Sequence, residues 1–144
     1  MMTYEENIEE MDSFQLGYQL TGIELVDFEI RSKRKIENSI IGFQIAITHN
    51  IIQDGTVKVD AKVSIVEKEE ILSSTNIICT YKLDNYQQWL DLNNFQSGTL
   101  PTEFANLING ITISSLRGVM FTKLQDTFLE TVILPVIDLA TLRS

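Results

Sequence analysis

Catalysis by acid–base or nucleophilic routes needs a titrating group or a thiolate held against a partner, and this sequence offers few. His49 is its one histidine and Cys79 its one cysteine. A lone histidine near a strand end, without a second histidine or an obvious carboxylate partner, reads as a structural residue and not as a general base or metal ligand. Cys79 falls on the apolar parity of its segment, where a thiol behaves as a small core group. Acidic residues are plentiful, but they come as surface-type runs such as Glu67, Glu69 and Glu70. Glycine-rich phosphate loops and zinc spacings do not occur in the sequence. The reading is of a binding protein, not an enzyme, with no cofactor or metal. Arg117 stands among apolar neighbours on a helical segment. Its guanidinium must reach an edge or pair with a carboxylate, within the chain or across a subunit boundary.

The elements that must position these residues follow from hydrophobic period. Residues 14–31 read as extended, but the apolar parity changes midway: Tyr18 and Leu20, then Ile23 and Leu25, then Val26, Phe28 and Ile30. Such a strand either bends at a bulge, near Gly22, or buries both faces. Period-two alternation predicts strands over 41–52 and, most clearly, 56–66, with Asp54-Gly55 supplying hairpin residues between them. A fourth strand is predicted over 75–83, after a charged turn at Glu67 to Glu70. The expected sheet is an antiparallel four-stranded meander.

After Asp84 the period changes. Tyr86 to Leu90 reads as a short helical or irregular link, and Ser97-Gly98 marks a break. Thr102 fits an N-cap for a short helix, and Gly110 separates it from a longer helix over 111–126 striped by Ile113, Leu116, Met120 and Leu124. An extended stretch at Val132 to Leu134 precedes Pro135, and Asp138 is placed to cap a final turn through Leu142. Residues 1–13 read as an acidic, flexible start. The fold class is α+β, with one domain over 1–144.

Composition bounds the partners. The 144 residues are 44% apolar and 22% charged, which is globular. Neither a membrane span nor a secretion signal is present in the sequence, so a cytoplasmic location is expected. A formal charge of −9, from 20 acidic and 11 basic residues, argues against a nucleic-acid backbone as partner. It favours basic partners, such as unfolded segments rich in Lys or Arg. The basic knot of Arg31, Lys33, Arg34 and Lys35 lacks interleaved aromatics and reads as a loop between strands.

The order of sheet and helices, with Arg117 followed eighteen residues later by Pro135-Val136-Ile137-Asp138, resembles the SecB family of export chaperones and their SecB-like relatives. Asp27-Phe28-Glu29 is similar to the family's Ser-Phe-Glu step in its first strand. The resemblance covers roughly residues 18–142. It implies a homotetramer built as a dimer of dimers, with long helices sandwiched between sheets. It also implies apolar grooves that hold non-native polypeptide clients without ATP, for export or for a single client such as an antitoxin. Leu25, Phe43, Tyr81, Tyr86, Trp89 and Phe95 are the candidate client-binding residues, and the same aromatics suit ordinary core packing. Arg117 would serve assembly as a salt-bridge partner. Of the acidic pair that docks the translocase motor SecA, Glu29 carries over, whereas Leu25 stands where the family has an acid. The family's longer polar tail is nearly absent, and residues 93–109 form an insertion. From another class, a curved sheet gripping a helix would make a carrier of a small apolar ligand.

Overall fold

A computed structural model describes residues 17–31, 40–52 and 54–138. Four strands, β1 (Tyr18–Ile30), β2 (Ile41–Ile52), β3 (Thr56–Glu67) and β4 (Glu70–Leu83), form one antiparallel sheet. Two helices follow, α1 (Tyr86–Asn93) and α2 (Thr102–Lys123). The α+β class and the sheet-before-helix order agree with the sequence. The acidic start, Lys33 to Lys35 of the basic knot and the turn beyond Asp138 fall outside the described residues.

Hairpins join β2 to β3 and β3 to β4, as a meander requires. β1 departs from it by pairing with β4, so the order across the sheet is β1-β4-β3-β2. That is a Greek-key connection. It leaves β1 and β2 as the two edges, with β3 and β4 inside. The alternation of β3 has this origin, since Val57, Val59, Ala61, Val63 and Ile65 are all buried beneath the helix layer. Fully burying one such Val or Ile side chain is worth roughly 1.5–3 kcal/mol, so this face anchors the fold.

Both hairpins rest on left-handed backbone. Gly55, at φ 87°, donates its N–H to the carbonyl of Ile52. Between Glu67 and Glu70 the turn residues Lys68 and Glu69 have φ 49° and 69°. Two positive φ values match the twist of a two-residue hairpin. Because this turn is so tight, β4 starts at Glu70, earlier than the predicted Thr75, and Leu72 enters the core.

The parity changes of β1 are resolved by two bulges, between Leu20 and Gly22 and between Leu25 and Asp27. Each extra residue turns the following side chains over once more. Tyr18, Leu20, Ile23, Leu25 and Phe28 thereby all pair with buried β4 residues (Leu83, Tyr81, Cys79, Ile77 and Thr75) on the helix side. Glu24, Asp27 and Glu29 all fall on the opposite face, exposed. Val26, grouped by sequence with Phe28 and Ile30, is the residue skipped by the second bulge.

α2 packs on β1, β3 and β4. It is one helix, not two: Gly110 lies inside it, and Thr102 is its first helical residue, with Pro101 at the N-cap. A helical glycine costs about 1 kcal/mol relative to alanine. The unbroken buried stripe of Phe104, Ile108, Ile113, Leu116 and Met120 outweighs that cost.

Candidate polypeptide-binding groove

The residues with catalytic potential are occupied in structural roles. His49 Nε2 lies 2.6 Å from Asn109 Oδ1, tying β2 to α2. Cys79 is buried, and that burial raises its thiol pKa, which disfavours the nucleophilic thiolate. Among the described residues no group of three or more His, Cys, Asp or Glu side chains converges to hold a metal ion.

The candidate client-binding aromatics separate into buried and exposed sets. Tyr81 is 0% exposed, and its hydroxyl meets Thr112 Oγ1 at 2.8 Å and donates to the Ile108 carbonyl at 3.2 Å. Burial pushes its pKa up to about 12. Tyr86 and Trp89 are core residues as well, stacked in parallel at 6.5 Å between ring centroids. The Tyr86 hydroxyl donates to the Thr99 carbonyl and accepts from the Gly98 N–H, which folds the link after α1 onto the body. These three side chains are buried and hold elements together, and Tyr86 also borders a hollow of about 310 Å³ beside Asp54, Gly55 and Asn85. Phe95 differs, being half-exposed and stacked on Trp89 at 5.2 Å. Phe43 is partly buried on edge strand β2, paired with Ile65.

Leu25 stands at an open apolar surface. It is 39% exposed and its β1 neighbour Ile23 is 50% exposed, although both occupy the helix side of the sheet. Together with Gly118, Val119, Thr122 and Lys123 of α2 they line a groove of about 500 Å³ between edge strand and helix. A second hollow, of about 610 Å³, continues along α2 past Leu107, Gly110, Ile111 and Ser114, and Ser115 borders both. Small residues keep the helix surface low, and the apolar residues beside them remain uncovered. Ile23, Val119 and Gly118 were not among the sequence candidates. Their signal was present in the parity change of β1 and in the small residues of the helix, but only the bulges bring the two together.

Arg117 has carbonyl partners among the described residues. Its Nε donates to the Leu134 carbonyl at 2.7 Å and its Nη2 to the Pro135 carbonyl at 2.9 Å. Among the described residues this makes a two-pronged clamp on main-chain carbonyls, which the planar guanidinium suits. The eighteen-residue interval between arginine and proline is thus the length of chain that leaves α2 and returns to it. Leu129 and Leu134 are buried along this return. Glu29 lies exposed on β1, accepting from Arg31 Nε at 3.2 Å.

No family model matches the chain, and no curated protein sequence does. Among solved structures it is similar to a Mycobacterium tuberculosis SecB-like chaperone, Rv1957, in complex with a ChAD peptide from the HigA1 antitoxin. The TM-score is 0.54 at 9% identity, covering 83% of this chain and 90% of the other. At that identity the likeness establishes a fold. This chain has a SecB-like α+β fold.

Proposed function

We propose that this protein is a SecB-like chaperone that binds non-native polypeptide without ATP, through the groove between β1 and α2. The observation that carries the reading is the exposure of Ile23 and Leu25 on the helix side of the sheet, where a closed core would bury them. Burial of client side chains there supplies the driving force. The exposed residues on α2, including Leu107 and Phe121, suit contact with further copies, in keeping with a dimer of dimers. A cytoplasmic location fits this role. No helix among the described residues is long and apolar enough to cross a membrane.

The experiment is suppression of aggregation of a chemically denatured protein, followed by light scattering in the absence of nucleotide. Suppression by the wild type, lost in Ile23→Asp or Leu25→Asp while Leu92→Asp retains it, supports the reading. Wild-type protein that leaves aggregation unchanged sinks it.

A second reading is a chaperone dedicated to one client. It is favoured by the antitoxin peptide bound to the structural neighbour. Suppression restricted to a single cognate client would select it over a general holdase. The carrier of a small apolar ligand is less well supported, because both hollows open broadly to the surface and neither is an enclosed cavity.

A further inference from the structure

At the edge of the sheet opposite β1, strand β2 has one neighbour, β3. Their pairing runs from Ile41↔Glu67 to Ile52↔Thr56 without a register shift. Among the described residues no segment beyond β3 bonds to the β2 main chain, apart from the hairpin bond from the Gly55 N–H to the Ile52 carbonyl. A straight strand of 12 residues thus presents a row of N–H and C=O groups along its outer side. Sheet edges are ordinarily blunted by a lysine, an inward-pointing charge, a proline or a bulge. β2 carries none of these. It is also the one strand of the four without Asp, Glu, Lys or Arg, whereas β1 carries Glu24, β3 carries Lys58 and β4 carries Lys82.

We infer that β2 pairs antiparallel with the β2 of a second copy, about a two-fold axis at Ala46. Charge chooses a copy over other partners. At −9, copies of the chain repel one another. Along β2 they can approach with no charged side chain of either strand facing another. A cationic segment, in contrast, finds no carboxylate on this strand to favour it. The strand is also its own complement. About Ala46, Ile41 lies opposite Ile51, Phe43 opposite His49 and Ile45 opposite Ile47, all on the helix side, while Gln44 meets Thr48 on the other face. An axis at Ile47 would leave Ile41 overhanging. Ile41, Phe43, Ile45 and Ile51 are only partly buried within one copy, so pairing covers their open sides. A contact between two such edges is isologous and closes on itself. One strand edge falls short of the roughly 1,200 Å² of a standard interface, so the association is weak and reversible. It uses the edge opposite β1 and therefore adds to any contact made through α2 or β1.

The test follows the full chain by sedimentation velocity from about 5 to about 500 μM, with hydrogen exchange of the β2 amides at both ends of that range. The wild type should gain mass with concentration, and its β2 amides should become protected at the upper end. Ala46 is exposed, so Ala46→Lys and Ala46→Glu should leave the fold intact. Each should weaken the concentration-dependent step about fivefold or more, because like charges then face each other across the axis. An equal mixture of the two variants sets Lys against Glu and should restore association, which a folding defect in either variant could not do. A mass gain retained in both variants overturns the inference. So does a mixture that stays as weak as its components. β2 amides that remain open at the upper concentration and close only when denatured client is added would give the edge to polypeptide, and would likewise overturn it.

Discussion

Tyr81 and Arg117 show how single side chains fix the frame around the groove. The Tyr81 hydroxyl, between the Ile108 carbonyl and Thr112 Oγ1, joins the middle of β4 to α2. Tyr81→Phe leaves Thr112 short of a partner and should cost about 1–2 kcal/mol at neutral pH, read by urea unfolding. The pH dependence has a definite sign. Folded Tyr81 holds its proton to about pH 12, against 10.0 for the free group. Between those values the unfolded chain binds fewer protons, so stability falls as pH rises. The advantage of wild type over Tyr81→Phe is complete below pH 10 and should shrink through this window. A margin that widens instead would contradict the assignment. At Arg117 the expectation concerns the return chain. Lysine presents a point charge and cannot span two carbonyls as the planar fork does. Arg117→Lys should therefore speed amide exchange at Leu129 and Leu134 by about tenfold, the equivalent of one lost charge-assisted hydrogen bond.

At the scale of elements, the bulges of β1 decide what the edge offers. Deleting Val26 removes the second bulge but leaves Asp27 opposite Asn76 and Phe28 opposite Thr75, because Val26 is the residue the pairing skips, so Phe28 and Ile30 stay on the helix side. That variant should change stability by less than about 1 kcal/mol, read by urea unfolding. A loss of about 3 kcal/mol or more would mean that Val26 does set the register, two apolar side chains having left the core side. Gly118 tests α2 and the groove together. A methyl group there meets nothing within 4 Å, so Gly118→Ala should stabilise the helix by about 0.5–1 kcal/mol. The same methyl lies on the groove wall, and client holding should weaken although the fold is firmer. Stability and binding moving in opposite directions would separate a functional surface from a merely structural one.

At the scale of the whole molecule, a charge of −9 on 144 residues acts beyond the groove. It should speed capture of cationic segments and make that capture sensitive to salt. Raising ionic strength from about 0.05 to 0.5 M should slow association with a Lys-rich denatured client several-fold, measured by stopped-flow fluorescence, with dissociation changing much less. An association rate indifferent to salt would leave apolar contact as the sole driving force.

Much of this was legible in the chain. Periodicity placed β2 and β3 almost to the residue, because each buries one face and shows one parity. Composition and the isolated His49 and Cys79 turned the reading from chemistry toward binding. The parity changes of β1 and the small residues of α2 were visible as anomalies, but their meaning was not. A bulge is defined by the partner strand, so only pairing with β4 could show that Ile23 and Leu25 share a face and that Glu24, Asp27 and Glu29 share the other. Burial is likewise a property of neighbours distant in sequence. The aromatics Tyr81, Tyr86 and Trp89 went inside and the aliphatics of β1 stayed partly outside, because α2 packs over the inner strands and covers Ile23 and Leu25 only in part. The sequence by itself determined the strands, the helical stripe and the fold class. Tertiary structure alone decided which apolar residues remain available to a partner, since that depends on which strand lies at the edge.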